Sequence, residues 1–297
     1  MKNIAIIGSK SFLAGHIKKI FDSQEYMLKL YGRRGLDNEE NVVLFNYPSV
    51  PIDLQELLSF DAIIYCAAGG VQSSIEDDCA TIYYLNAYLP IEITCFLHEN
   101  GFRGKLITFG SYFEIGSNSD YRFFKEKEIV FSHLEVHNNY CVSKRLMSRF
   151  VFDSIARISH YHLILPTIYG STENANRLIP YIVSGLKNGN DIKLTSGQQL
   201  RQFIHGSDVA NLVKIIVDNE IRPSIYNVAD QNSNTIREIV EILFDFFDKD
   251  AASALGKINK RDESMNVLLI DGALTKEITN WQPKVSLRNG LSEYINN

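Results

Sequence analysis

Tyr140 and Lys144 stand four residues apart in the stretch Asn139-Tyr140-Cys141-Val142-Ser143-Lys144-Arg145. On a helix that spacing sets a phenol and an ammonium on one face, one turn apart. An ammonium beside a phenol favours the phenolate, so the Tyr140 pKa is expected to be drawn down from about 10 toward neutrality. A Tyr tuned in this way can give or take a proton near pH 7. The spacing alone is weak, because it arises often on solvated helix faces. It gains weight from Ser111, in Phe109-Gly110-Ser111, and from a turn that begins with Gly8 near the N-terminus.

These residues need elements to position them. Ile4 to Ile7 is a short apolar run stopped by Gly8, the pattern of a buried parallel strand. Apolar residues at helical spacing follow from Phe12 to Phe21. Further strands are expected at Tyr26–Tyr31, Val42–Phe45, Ala62–Cys66, Lys105–Phe109 and His162–Ile168. A helical turn at Leu54–Leu58, a long helix at Ile82–Leu97 and the Tyr140 helix lie between them. Such alternation predicts an α/β fold, a Rossmann-type doubly wound parallel sheet over residues 1–170. Past Gly170 the alternation loosens into helices at Leu178–Leu186, Val209–Val217 and Thr235–Phe247, and short strands at Gln202–Ile204, Tyr226–Val228 and Val267–Ile270. Residues 171–297 are therefore expected to form a smaller mixed α/β substrate-binding cap, with about 202–230 returning to the first domain.

In the turn Gly8-Ser9-Lys10-Ser11-Phe12-Leu13-Ala14-Gly15, small residues at positions 8, 11 and 14 let backbone N–H groups approach a pyrophosphate at the positive end of a helix. Only the first of the three glycines usual in such a turn is present. The second strand runs into Arg33-Arg34 with no acid beside it. That pairing suits a ribose 2′-phosphate and favours NADP over NAD.

The 297 residues carry 45% apolar and 22% charged side chains, ordinary for a globular enzyme or binding protein. A net charge of −5 argues against broad nucleic-acid binding. Cys66, Cys79, Cys95 and Cys141 form no Cys-x-x-Cys or zinc spacing. His133 with His137, and His160 with His162, lack the acids or thiols that would complete a metal site, so no metal is expected. No signal-peptide pattern opens the chain and no apolar run reaches membrane-spanning length, so a cytoplasmic, membrane-free protein is expected.

Taken together, these motifs resemble the extended short-chain dehydrogenase/reductase family, in its sugar-nucleotide epimerase, dehydratase and reductase branch. The resemblance covers nearly the whole chain. It implies an NADP(H) cofactor held by Gly8, Ser11, Phe12, Leu13, Arg33, Arg34, Tyr140 and Lys144, together with Ala67 and Ala68 of Tyr65-Cys66-Ala67-Ala68-Gly69 and Thr167 of Leu165-Pro166-Thr167-Ile168-Tyr169-Gly170. It makes Ser111, Tyr140 and Lys144 catalytic and puts Asn86 in a supporting position. A nucleotide-sugar substrate would meet Ser111, Tyr112, Asn176, Arg177 and Leu178. Its diphosphate would lie between Arg201, in Arg201-Gln202-Phe203-Ile204 where Gln202 replaces the usual Asp, and Arg261. A homodimer is compatible with the family.

Within that branch the dehydratases carry an Asp-Glu pair after the catalytic Ser or Thr. Here Tyr112 and Phe113 stand there, so water elimination is not expected. The second half reads most like the nucleotide-sugar 4-ketoreductases. The expected reaction is NADPH-dependent reduction of the C4 ketone of a pyrimidine-diphospho-4-keto-6-deoxyhexose. The dTDP sugar is favoured, followed by a CDP-4-keto-3,6-dideoxyhexose, 4-epimerisation, and a redox-inert binding protein on the same fold.

Overall fold

A computed structural model of the chain describes residues 1–33, 42–46, 49–70, 78–155, 157–259 and 265–296. The expectations resting on Arg34 and Arg261 fall outside these residues.

The first half alternates β1 (Lys2–Ile7), α1 (Phe12–Ile20), β2 (Tyr26–Gly32), β3 (Val42–Leu44), α2 (Leu54–Leu57), β4 (Ala62–Tyr65), α3 (Cys79–Tyr83), α4 (Leu89–Glu99) and β5 (Lys105–Ser111). Next come α5 (Glu126–Val130), α6 (Asn139–Ser154), β6 (Ser159–Leu165), β7 (Thr167–Tyr169), α7 (Leu178–Asn188), β8 (Leu200–Arg201), β9 (Phe203–His205), α8 (Gly206–Asp218) and β10 (Ile225–Asn227). The chain closes with β11 (Asn234–Thr235), α9 (Ile236–Asp245), β12 (Val267–Leu268), α10 (Ala273–Thr279) and α11 (Leu287–Asn296).

Seven strands, all paired in parallel, form the main sheet in the order β10-β6-β5-β4-β1-β2-β3. The expected doubly wound parallel sheet is present. Its order reverses between β1 and β4, the crevice at which such sheets bind ligands beyond their carboxyl ends. Strand periodicity explains why both faces are covered. Ile4 and Ile6 of β1, with Ala62 and Ile64 of β4, pack in a core that includes α1 and α8 residues. Their neighbours Ala5, Ile7, Ile63 and Tyr65 point the other way, into a core with Leu89, Ile93 and Leu97 of α4. A separate apolar cluster joins α7, α9 and α11 through Ile182, Leu243, Phe244 and Leu291.

Two expected elements are interrupted, each at a proline. The helix foreseen over Ile82–Leu97 contains a π-turn at Tyr84–Tyr88, where the Leu89 N–H donates five residues back to the Tyr84 carbonyl. Pro90 follows at the start of α4. It has no N–H for the Asn86 carbonyl four residues earlier, so the hydrogen-bond ladder shifts by one residue. The strand foreseen over His162–Ile168 breaks at Pro166. β6 ends at Leu165, and β7 leaves the main sheet to pair with β9.

The C-terminal tail is tied back to α8. The buried Asp208 carboxylate accepts from the Lys284 and Val285 N–H groups, and Trp281 Nε1 donates to the Asp208 carbonyl.

Candidate active site

Gly8 ends β1 at φ +84°. A Cβ there would stand 2.4 Å from Ala67 N and 2.8 Å from Cys66 C, so only glycine lets the two strand ends meet at the switch point. Ser11 caps α1, its Oγ accepting from Ala14 N at 3.2 Å. Ala14 and Leu13 are buried in the core, which leaves the Leu13 backbone rather than its side chain for a ligand. Phe12 meets His16 edge to face. The Ser9 hydroxyl is buried without a hydrogen-bond partner. A glycine cradle, a capped helix start and an unpaired buried hydroxyl fit a dinucleotide phosphate. Arg33 follows β2 directly and is exposed.

Ser111, at the end of β5, and Tyr140 and Lys144, in the first half of α6, come together as expected. The Ser111 hydroxyl lies close enough to the Tyr140 phenol to favour its ionised form. Lys144 is buried, its Nζ donates to the Phe109 carbonyl at 2.8 Å, and it lies 5.8 Å from the centroid of the Tyr140 ring. The expected lowering of the Tyr140 pKa does not hold. Burial pushes it above the ordinary value, and the nearby Ser111 hydroxyl opposes this only in part. Desolvation of a phenolate outweighs an ammonium already engaged by a backbone carbonyl. Tyr140 is thus a phenol at neutral pH, a proton donor. Burial also draws Lys144 down to about 8, against the pull of Glu114.

Asn86 holds this set to the sheet. Buried in the π-turn, it accepts from Gly69 N at 2.9 Å and donates to Gly69 O and to Ser143 Oγ, both at 3.0 Å. Ser143 Oγ in turn donates to the Tyr140 carbonyl at 2.9 Å.

Sequence reasoning missed Glu114. It lies in the 3-10 turn Tyr112–Ile115, is fully buried, and accepts from Ser111 N at 2.7 Å. Arg145 ties down the same turn, its Nε donating to Glu114 O at 2.6 Å and Nη2 to Ile115 O at 2.9 Å. The signal was present as Ser111-x-x-Glu114, the spacing of a capping box. His160 and His162 are buried on one face of β6, both within 2.8 Å of Thr108 Oγ1. Burial holds both neutral, His160 at about 3 and His162 well below its ordinary value. Among the described residues no group of three His, Cys, Asp or Glu gathers as metal ligands.

Of the residues expected to meet a substrate, the buried Tyr112 shares a 2.5 Å hydrogen bond with Thr167 Oγ1. Arg177 and Arg201 are both near enough to hold the Tyr112 pKa down against burial, and Arg177 does the same for Tyr140. Arg177 immediately precedes α7 and pairs with Glu173 at 3.0 Å; Glu173 also accepts from Tyr294 of α11. Three of the five Arg201 N–H donors go to the carbonyls of Leu200, Met265 and Asn266. The unusual Gln202 is structural. Its amide donates to Asp230 O and Ile270 O and accepts from Ile270 N, a donor-plus-acceptor set that Asp could not match. Asn176 is exposed, and Leu178 begins α7, packed against the cluster of α7, α9 and α11. A hollow of about 380 Å³ near Phe60, Asp61, Phe102 and Arg103 lies by the amino ends of β4 and β5, away from these residues. No helix of the described residues is long and apolar enough to cross a membrane.

Comparison with known proteins places this geometry among relatives. CDP-abequose synthase of Salmonella typhimurium is 26% identical over 190 residues, which cover 61% of this chain and 62% of that protein. The match to the Salmonella muenchen enzyme of the same name likewise spans 62% of its length, at 24% identity over 59% of this chain. UDP-glucuronic acid 4-epimerase from Bacillus cereus, solved with UDP-glucuronic acid and NAD, superposes with a TM-score of 0.81 at 17% identity over 99% of both chains. WbmG of Bordetella bronchiseptica, solved with NAD and UDP, gives 0.79 at 16% identity over 99% of this chain and 93% of its own. At such identities these two likenesses speak to the fold. The model of the NAD dependent epimerase/dehydratase family matches residues 4–229, well over half of the chain. The chain therefore belongs to that family, the extended short-chain dehydrogenases/reductases.

Proposed function

We propose that the protein reduces the C4 ketone of a pyrimidine-diphospho-4-keto-6-deoxyhexose, with NADPH as the reductant. The carrying observation is the Ser111–Tyr140 pair beside a Tyr112 hydrogen-bonded to Thr167. A phenol kept protonated by burial suits delivery of a proton to an alkoxide. Neither Tyr112 nor Phe113 can supply the carboxylates that water elimination needs.

The bound dinucleotide would supply the hydride. Gly8, Ser11 and the backbone of Phe12 and Leu13 would receive its pyrophosphate, Ala67 and Ala68 its adenosine end, Thr167 its amide end, and Arg33 with Arg34 a 2′-phosphate. Lys144 would hold the ribose hydroxyls. Tyr140 gives its proton to the C4 oxygen as that atom gains charge, and Ser111 donates a second hydrogen bond to it. Arg177 and Arg201, with Arg261, would hold the diphosphate, and residues 171–297 would cap the sugar.

Two relatives called CDP-abequose synthase favour a second reading of the base, a CDP-4-keto-3,6-dideoxyhexose in place of the dTDP sugar. The test is incubation with each ketosugar nucleotide and NADPH or NADH, with products identified by NMR. Reduction of one ketosugar with NADPH preferred is the expected result. Equal use of NADH at low concentration refutes the Arg33–Arg34 reading. Isomerisation of an unreduced sugar nucleotide, with neither ketosugar reduced, refutes the reductase in favour of an epimerase. No binding of either nicotinamide dinucleotide refutes both.

A further inference from the structure

Arg177 ends a short loop whose shape is set by a residue of α11. Gly170 and Glu173 close a turn at its start, the Glu173 N–H donating to the Gly170 carbonyl at 3.0 Å. The Tyr294 hydroxyl bridges that turn: it accepts from Gly170 N at 2.7 Å and donates to Glu173 Oε1. The second carboxylate oxygen, Oε2, pairs with Arg177 Nε at 3.0 Å. Both oxygens of a side chain that is 2% exposed are therefore engaged, one by a phenol and one by a guanidinium. The backbone adds a last link, Arg177 N donating to Asn174 O at 3.0 Å.

α11 is a fixed point for this series of bonds. Gly290 lets it approach β7, since a Cβ there would lie 2.4 Å from the Tyr169 hydroxyl. Lys187 Nζ of α7 donates to the Tyr294 carbonyl at 3.0 Å, and Glu293 meets the buried His205 at 3.2 Å. Leu291 and Tyr294 are buried in the cluster of α7, α9 and α11. The pair with Glu173 uses only Nε of Arg177. Nη1 and Nη2 carry the remaining N–H donors, the fork that matches two oxygens of a phosphate. A long side chain that must be ordered on binding costs affinity, and one already held through Nε costs less.

We propose that Tyr294 and Glu173 are positioning residues that hold the Arg177 fork ready for the diphosphate of the substrate. This rests on the role given above to Arg177. Arg201 needs no such brace, because the carbonyls of Leu200, Met265 and Asn266 already hold it.

Isothermal titration of the 297-residue chain with dTDP, CDP and UDP in turn tests it. Tyr294→Phe removes the bridging hydroxyl and keeps the ring. Affinity for whichever nucleoside diphosphate binds is expected to weaken about two- to tenfold, the cost of ordering one long side chain on binding. Glu173→Gln keeps an acceptor for Tyr294 but sets no charge against Arg177, and should weaken it as much. Ile239→Val, a small cavity in the same apolar cluster, is expected to lower the melting temperature and leave affinity unchanged. Arg177→Ala should weaken binding more than either brace variant, and Tyr294→Phe added to it should cost nothing further. Wild-type affinity in a folded Tyr294→Phe, beside a weakened Arg177→Ala, overturns the brace and leaves the diphosphate role of Arg177 standing. So does an additive loss in the double variant, or a loss in Ile239→Val equal to that in Tyr294→Phe. Should Tyr294→Phe not fold, Glu173→Gln is read in its place. Wild-type affinity in Arg177→Ala, or no binding of any of the three by the wild type, overturns both the brace and that role.

Discussion

Asn86→Ala tests how the active-site helix is held. The side chain serves both the N–H and the carbonyl of Gly69, a buried residue, and it donates to Ser143 Oγ, which is bonded to the Tyr140 carbonyl. Alanine would leave both Gly69 groups unpaired away from water, at about 1–3 kcal/mol each, or about 2–6 kcal/mol together. For a chain of this size, at about 2 °C per kcal/mol, the melting temperature should fall by about 4–12 °C. Freed from its Ser143 anchor, Tyr140 loses register with Ser111, and a displacement on the order of 1 Å would lower kcat about a hundredfold. Asn86→Asp, equal in size, should do no better, because a carboxylate presents no donor to Gly69 O. Differential scanning fluorimetry and initial rates measure both effects. A melting temperature within about 2 °C of wild type, with kcat intact, would refute the view of Asn86 as a buried strut.

Tyr140→Phe should lower reduction about 10²–10⁴-fold while cofactor affinity, read by fluorescence titration, stays near wild type. Turnover that survives would move the acid role elsewhere. Gly8→Ala puts a methyl into the Ala67 backbone at positive φ, and the backbone strain alone costs about 1–2 kcal/mol. Cofactor affinity and melting temperature should both fall, and wild-type affinity would contradict the proposed cradle. His160, held at about 3, and His162, held well below its ordinary value by burial, must take up protons on unfolding, where the ordinary value is about 6.5. Below that pH the unfolded chain binds more protons, so each histidine removes stability as pH falls from about 6.5, at up to about 1.4 kcal/mol per unit. The melting temperature of His160→Gln should depend less steeply on pH than that of wild type between pH 7 and 5, and identical slopes would refute this. Lys144 has the same linkage in a higher window: between about 8 and about 10.5 only the unfolded chain keeps its proton, so its share of stability rises with pH, while kcat should fall as the ammonium is lost.

What could be read in the sequence was what short-range pattern encodes. Continuous apolar runs at Ile4–Ile7 and Ala62–Tyr65, each ended by small residues, located strands and the switch point between them. Spacing four along a helix paired Tyr140 with Lys144. What could not be read depends on partners far along the chain. The sign of the Tyr140 shift is set by burial among residues from β5, α6 and the turn between them, which no local pattern reports. Gln202 is explained only by Asp230 and Ile270, and the anchoring of Arg201 by Leu200, Met265 and Asn266, which takes three of its donors, is equally invisible in a local pattern. Glu114 lay in a readable capping motif, yet the motif foretells a helix start and says nothing of a carboxylate buried beside a lysine. Pro90 was visible too, but its effect on the helix before it depends on how the carbonyl four residues earlier is satisfied.

That π-turn has a consequence for the reading frame of the helix. It holds one residue more than α geometry needs over the same rise, so the side chains before it and after it are out of phase by about 100°. α4 keeps Leu89, Ile93 and Leu97 against the sheet, while Asn86, inside the wide turn, faces Gly69 and Ser143. Removing Ala87 or Tyr88, the two residues of the turn that follow Asn86, would restore a regular helix without disturbing the α4 stripe. It would also swing Asn86 and everything before it by that angle, leaving a chain that folds with its strut turned away from Tyr140. In this stretch, tolerance to length change and tolerance to substitution part ways.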